Sequence, residues 1–170
     1  MIGQAIIQIA KEKGFGKIIA IDLSNEKLNT AKETGATHTL NPETDNVQEK
    51  ILKLTCNRGT DVAFEAVGLS STLQQAISVV RRGGSVTLVG NVTPKTEFPM
   101  QHVVTRQIRV QGSCAICGEY PAVLDMLSRK QIDIYPLLSL EAPLAEGAQW
   151  FNKLYNHEED LVKVILKPEE

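Results

Sequence analysis

The chain has 170 residues, 42% apolar and 22% charged, with a formal net charge of -2, a size that allows one well-cored domain. It lacks the basic excess of a nucleic-acid binder, no apolar run approaches the ~20 residues that span a bilayer, and no signal peptide is expected from its first residues. Cys56, Cys114 and Cys117 are an odd number without a framework spacing, which fits a reducing cytosol, so the expectation is a cytoplasmic globular domain that binds neither nucleic acid nor membrane.

Residues 2–13 place Ile2, Ile6, Ile7, Ile9 and Ala10 at helical spacing, and Gly14 ends the segment. KIIAID (17–22) is a short β-branched run of the kind found in buried parallel strands. Ser24 then caps a second helix, with Leu28 and Ala31 among its apolar positions and a stop at Gly35. Thr37 to Leu40 reads as a strand, Asn41-Pro42 as a turn, and residues 46–56 as a third helix closed by Asn57-Arg58-Gly59. DVAFEAV (61–67) is the next strand, and residues 71–81 form a helix with Leu73, Ala76, Ile77 and Val80 facing inward. Gly83-Gly84 is a tight connection into SVTLVG (85–90). An irregular stretch with Pro94 and Pro99 leads to a short helix near 100–106, a strand near 108–113 and a helix around 120–130. A helix near 145–156 and the strand VKVILK (162–167) complete the series, with Met100, Met126 and Trp150 read as packing residues. Strands alternating with helices predict βαβ units in an α/β, doubly wound, mainly parallel sheet with helices on both faces.

Dinucleotide-binding domains of this Rossmann type place a pyrophosphate on a helix N-terminus reached through a glycine-rich turn. An acidic residue about 20 positions later holds the adenosine ribose. Gly3 fits the last glycine of G-x-G-x-x-G, and Asp22 ends the next strand 19 residues on. A carboxylate accepts from both ribose hydroxyls and repels a 2′-phosphate, which favours NAD over NADP. Asp22 also has a plainer reading, as a solvated residue beside a helix N-terminus. The strand and glycines that precede such a helix are not found ahead of Met1. The expectation is a sheet lacking its first strand, with unpaired edges on the two neighbouring strands.

IIAIDLSNEKLNTAKETGATHTLNP, GTDVAFEAVG, RRGGSVTLVG, QIRVQGS and LSRKQIDIYPLLS occur in an order and spacing that resemble one family. With the closing EGAQWFNKLYNHEEDLVKVILKP, they are similar to the cofactor domain of the medium-chain, zinc-type alcohol dehydrogenases, above all the sorbitol (polyol) dehydrogenase branch. The resemblance runs from Gly3 to Lys167 and implies an NAD-binding domain over residues 1–160, N-terminally incomplete. Residues 161–170 would be a strand returning toward a catalytic domain outside the chain.

It further implies Gly3 at the pyrophosphate turn and Asp22 on the ribose. Lys27 stands where relatives often carry a basic residue beside that ribose, although the residue by itself reads first as a helix-surface lysine. Val67 and Gly68 would lie near the adenine, Val67 otherwise being core. Val89, Gly90, Asn91 and Val92 match a strand end whose backbone approaches the nicotinamide, as do Ser113, Cys114 and Ala115. Lys163 matches a position near the pyrophosphate that is often arginine, and a lysine is not bidentate there.

No catalytic or metal-binding residue is assigned within the chain. Cys114 and Cys117 have metal-like spacing but no second pair. His38, His102 and His157 are scattered, and no Tyr-x-x-x-Lys occurs. Glu65, at a strand's C-terminal end, reads as either a structural hydrogen-bonding group or a catalytic acid. The resemblance places zinc in the absent catalytic domain. The implied function is oxidation of a secondary alcohol or polyol to a ketone by a homo-oligomer, dimer or tetramer, through an edge strand near 108–113. The chain by itself is expected to be inactive and poorly stable. Three alternatives remain: a zinc-free quinone reductase of the same superfamily, an S-adenosylmethionine-dependent methyltransferase, and a non-catalytic remnant.

Overall fold

The computed structural model of the chain describes residues 1–156, 158 and 161–168. In chain order its elements are α1 (Ile2–Glu12), β1 (Ile19–Ile21), α2 (Asn25–Thr34), β2 (His38–Leu40) and α3 (Val47–Leu54). These are followed by β3 (Thr60–Glu65), α4 (Ser70–Val79), β4 (Val80–Leu88), α5 (Met100–Arg106) and β5 (Arg109–Gly112). The last are α6 (Tyr120–Ser128), β6 (Leu140–Pro143), α7 (Gly147–Tyr155) and β7 (Val164–Lys167). They divide into two compact units, one of Met1–Thr39 with Tyr120–Glu170, the other of Leu40–Glu119.

The first unit is built on small side chains. Ala10, Ile18, Ala20, Leu28, Ala31 and Ala36 form its buried cluster, with Ile7 packed against it, so α1, α2 and β1 can approach closely. Gln8 is buried on α1 and makes two hydrogen bonds with Asp133: its amide donates to Asp133 O (2.8 Å) and its carbonyl accepts from Asp133 N (2.6 Å). That pairing satisfies a polar group which burial would otherwise leave at a cost of about 1–3 kcal/mol. Ile2 and Ile9, on the apolar side of α1, stay exposed. β1 is shorter than the run 17–22 predicts, because its pairing with β2 is taken over at Ile18 by Thr37. The Thr37 hydroxyl accepts from Ile18 N (2.9 Å), and Ile18 O accepts from Thr37 N (2.8 Å). β6, which no sequence signal predicts, pairs in parallel with β7 from Leu140↔Val164 to Pro143↔Lys167. Ser139 extends that ladder, donating to Lys163 O (2.8 Å) and accepting from Val162 N (2.8 Å).

In the second unit β3, β4 and β5 form a parallel sheet in that order. Leu73, Ile77, Val80, Val86 and Ile108 make its core, with α4 packed on β3 and β4. Here the expected boundaries shift. α4 stops at Val79, and the strand begins at Val80 rather than residue 85. Gly83-Gly84 is therefore not a connection but part of a bulge, where the register passes from Thr60↔Val80 to Val62↔Ser85. A Cβ on Gly84 would overlap Val80 Cγ1 and lie 2.8 Å from Asp61 O, so only glycine lets the bulge close. Val80 is fully buried as predicted, but from a strand instead of a helix. Met100 departs from its packing role: it is 63% exposed in the first turn of α5.

The strands fall into three sheets, β1-β2, β3-β4-β5 and β6-β7. Among the described residues β1, β2, β3 and β5 are each paired along one edge only. No helix among the described residues is long and apolar enough to cross a membrane.

Candidate functional site

Gly3 lies in the first turn of α1, whose opening bond runs from Ala5 N to Met1 O (3.2 Å). A Cβ built there would meet nothing within 4 Å, so no packing within the chain requires a glycine at this position. The turn carries the unsatisfied amides and partial positive charge of a helix N-terminus. Asp22 follows β1 and is half-buried; its Oδ1 accepts from Ser24 N (3.0 Å). Ser24 in turn caps α2 by accepting from Lys27 N (3.3 Å). Gln4 ties the two helices, donating to Lys27 O (2.7 Å) and accepting from the Thr34 hydroxyl (3.2 Å).

Gly3, Asp22 and Lys27 are thus brought to one end of the first unit. The charges of Lys27 and Asp22 are felt at the Met1 ammonium, whose pKa is held below its usual value by burial first and by Lys27 second, with Asp22 opposing both. Lys163 is exposed, and its backbone is engaged by Ser139.

In the second unit the C-terminal ends of β3 and β4 meet through Glu65, which is 4% exposed. Its carboxylate accepts from Val67 N (2.9 Å), from Gly68 N (2.9 Å) and from the Thr72 hydroxyl (2.8 Å). Its backbone carbonyl accepts from Val89 N (2.8 Å) and Gly90 N (3.0 Å). Thr93 closes the arrangement from the other side, its hydroxyl donating to Gly68 O at 2.7 Å. Gly68 has φ +92°, and a Cβ there would lie 2.5 Å from Val92 N and 2.6 Å from Asn91 N. A Cβ on Gly90 would overlap Gly68 N and the backbone of Val67. Two stretches far apart in sequence, Val67-Gly68 and Gly90-Asn91-Val92, are therefore in direct backbone contact. Val67 itself is 45% exposed, so its reading as a core residue does not hold.

Ser113 joins the same strand ends, donating to Leu88 O (2.8 Å). Cys114 and Ala115 continue into an exposed stretch in which Ala115 has φ +54°. Cys56, Cys114 and Cys117 are free thiols at exposed positions. Among the described residues no group of three or more His, Cys, Asp or Glu side chains is placed to hold a metal ion. His38 opens β2 with its Nδ1 2.9 Å from the Thr37 hydroxyl, and His102 accepts from Arg106 (2.7 Å). His157 lies outside the described residues.

Sequence reasoning did not identify Thr72 and Thr93, which hold the turn together. The one available signal was the acid within AFEAVG, two residues before a Val-Gly pair that requires anchoring.

A family model described as zinc-binding dehydrogenase matches residues 2–129. Sorbitol dehydrogenase of Homo sapiens is 30% identical over 152 residues, 88% of this chain and 43% of that protein. The solved structure of 2R,3R-butanediol dehydrogenase from Bacillus subtilis superposes with a TM-score of 0.89 at 28% identity, covering 99% of this chain and 48% of the other. A zinc-binding dehydrogenase of Sinorhizobium meliloti bound to NADP superposes with a TM-score of 0.87 at 26% identity, covering 98% of this chain and 49% of the other. The chain spans about half the length of the relatives it matches. A model match over most of the chain, together with the superposition on these structures, establishes that the chain belongs to the zinc-binding dehydrogenase family.

Proposed function

We propose that this chain is the NAD-binding portion of a zinc-dependent dehydrogenase that oxidises a secondary alcohol or polyol to a ketone. The observation that carries this reading is an acid placed beside an open helix N-terminus. Gly3 leaves room that no protein atom fills, and Asp22 stands 19 residues later at the end of β1. The α1 amides and partial charge suit a pyrophosphate. The Asp22 carboxylate, oriented by Ser24 N, has capacity left for two ribose hydroxyls, since an ionised carboxylate offers about four acceptor sites. Lys27 adds positive potential at the same end. Val67 offers an exposed apolar surface for the adenine.

At the other turn the amides of Val89 and Gly90 already donate to Glu65 O, so contacts to the nicotinamide carboxamide fall to the carbonyls of that turn and to Asn91, Val92 and Ser113–Ala115. Lys163 would contribute charge to the pyrophosphate. When bound, NAD supplies the hydride acceptor, and zinc, assigned to no residue of this chain, polarises the alcohol oxygen. On this reading the chain alone binds cofactor without turning over alcohol. The full protein is a homo-oligomer joined along the outer edge of β5.

NADP is the second reading, because the Sinorhizobium meliloti neighbour holds it. The carboxylate of Asp22 speaks against a 2′-phosphate. Titration of the chain with NADH and NADPH, followed by nucleotide fluorescence, separates the two. The wild-type chain should prefer NADH, and Asp22→Ser should weaken NADH about tenfold and narrow the preference. An unchanged affinity and preference in Asp22→Ser would contradict the ribose assignment.

A further inference from the structure

Glu65 is a buried carboxylate that the proposed cofactor contacts do not use. It is also the only described residue whose side chain anchors one of the two candidate cofactor turns while its backbone anchors the other. The carboxylate fixes Val67-Gly68. The carbonyl, one bond chain away, fixes Val89-Gly90. Thr72 holds the carboxylate (2.8 Å), and Thr93 reaches back to Gly68 O (2.7 Å), so the path 65–68–93–90–65 is closed by hydrogen bonds and the chain from Gly90 to Thr93, with backbone contact between Gly68 and Gly90 across it. A loop closed in this way moves as one piece, since neither turn can shift without breaking a buried bond or driving backbone atoms into overlap.

We infer that Glu65 is a positioning residue that couples the adenine-side turn to the nicotinamide-side turn, so that a dinucleotide is received by both in a fixed relation. The inference rests on the cofactor reading above. Glu65 touches no reacting atom and acts through Gly68, Gly90 and Thr93. Its charge is not what the coupling needs; an acceptor oxygen aimed at two amides is. Glutamine keeps such an oxygen, whereas leucine keeps the bulk and leaves the amides of Val67 and Gly68 without their acceptor.

The test compares NADH with ADP-ribose, which lacks the nicotinamide, by calorimetric titration of the whole chain, with circular dichroism giving the folded fraction. Glu65→Gln should bind both within about threefold of wild type. Glu65→Leu should lose about tenfold or more on NADH and less on ADP-ribose, so that the advantage of NADH over ADP-ribose shrinks. Thr93→Val, which removes only the hydroxyl bond to Gly68 O, should shrink the same advantage by a smaller factor, and it carries the test if Glu65→Leu does not fold. Equal weakening of both ligands in Thr93→Val and Glu65→Leu, or unchanged affinities in the folded variants, would overturn the coupling. If the wild-type chain bound neither ligand, the cofactor reading itself would fall, and the coupling with it.

Discussion

The turns at Asp22 and Glu65 use one device under opposite packing. Each is a carboxylate at the C-terminal end of a strand that accepts backbone amides a few residues later. Asp22 takes one amide, stays half-buried and faces a helix end where a glycine has open space around it. Glu65 takes two amides and a hydroxyl, is almost fully buried and sits where a glycine has no space at all. The contrast separates roles. A carboxylate whose acceptor sites are filled from within holds the fold, and one with sites remaining can hold a ligand. The same distinction sorts the glycines: the packing of the protein requires Gly90 and does not require Gly3.

The largest effect should come from Gly90→Ala. Its Cβ would overlap Gly68 N and the Val67 backbone, so the turn must open, at a cost of about 3 kcal/mol. Urea denaturation should show this as a lower midpoint, and an unchanged midpoint would mean the contact with Gly68 is not held in solution. Ser24→Ala comes next, removing the cap on α2 at a cost of about 1 kcal/mol by the same measurement. Gly3→Ala is the sharpest comparison with Gly90. It should leave stability unchanged or raise it by less than about 1 kcal/mol, while NADH affinity falls because the Cβ enters the space proposed for the pyrophosphate. A loss of stability there would erase the distinction between the two glycines.

The smallest effect concerns Asp61, whose carboxyl is held below its usual pKa by hydrogen bonds from Arg81 and then Arg58. Because the folded pKa is depressed, the contribution is present above the usual carboxylate range and is lost as pH falls through the lowered value. Asp61→Asn should therefore slightly flatten the loss of stability below about pH 4. An acid limb identical to wild type would assign that loss to other groups.

Much of this was legible beforehand because local chemistry carries it. Ser24 and Gly35 announce helix ends through a side-chain acceptor and a positive φ, and the structure places a cap and a stop there. Asp22 was legible as an acid at a fixed distance from a glycine. Two kinds of feature were not. β6 exists because it pairs with β7, more than twenty residues away, and a four-residue run ending in Pro143 carries no periodic signal of its own. The second is the contact between Gly68 and Gly90, which is made by backbone atoms that leave no trace in side-chain type beyond the glycines themselves. The bulge at Gly83-Gly84 misled for a related reason. A glycine pair reads as a connection, but here it lets a strand pass close to Val80.

The central claim is that Glu65 holds Val67-Gly68 and Gly90-Asn91-Val92 in one fixed relation for a dinucleotide. Amide hydrogen exchange with and without saturating NADH tests it most directly. The account predicts added protection both in peptides covering residues 66–69 and in peptides covering residues 89–93. Protection confined to one of these sets, or absent from both at saturation, would contradict it.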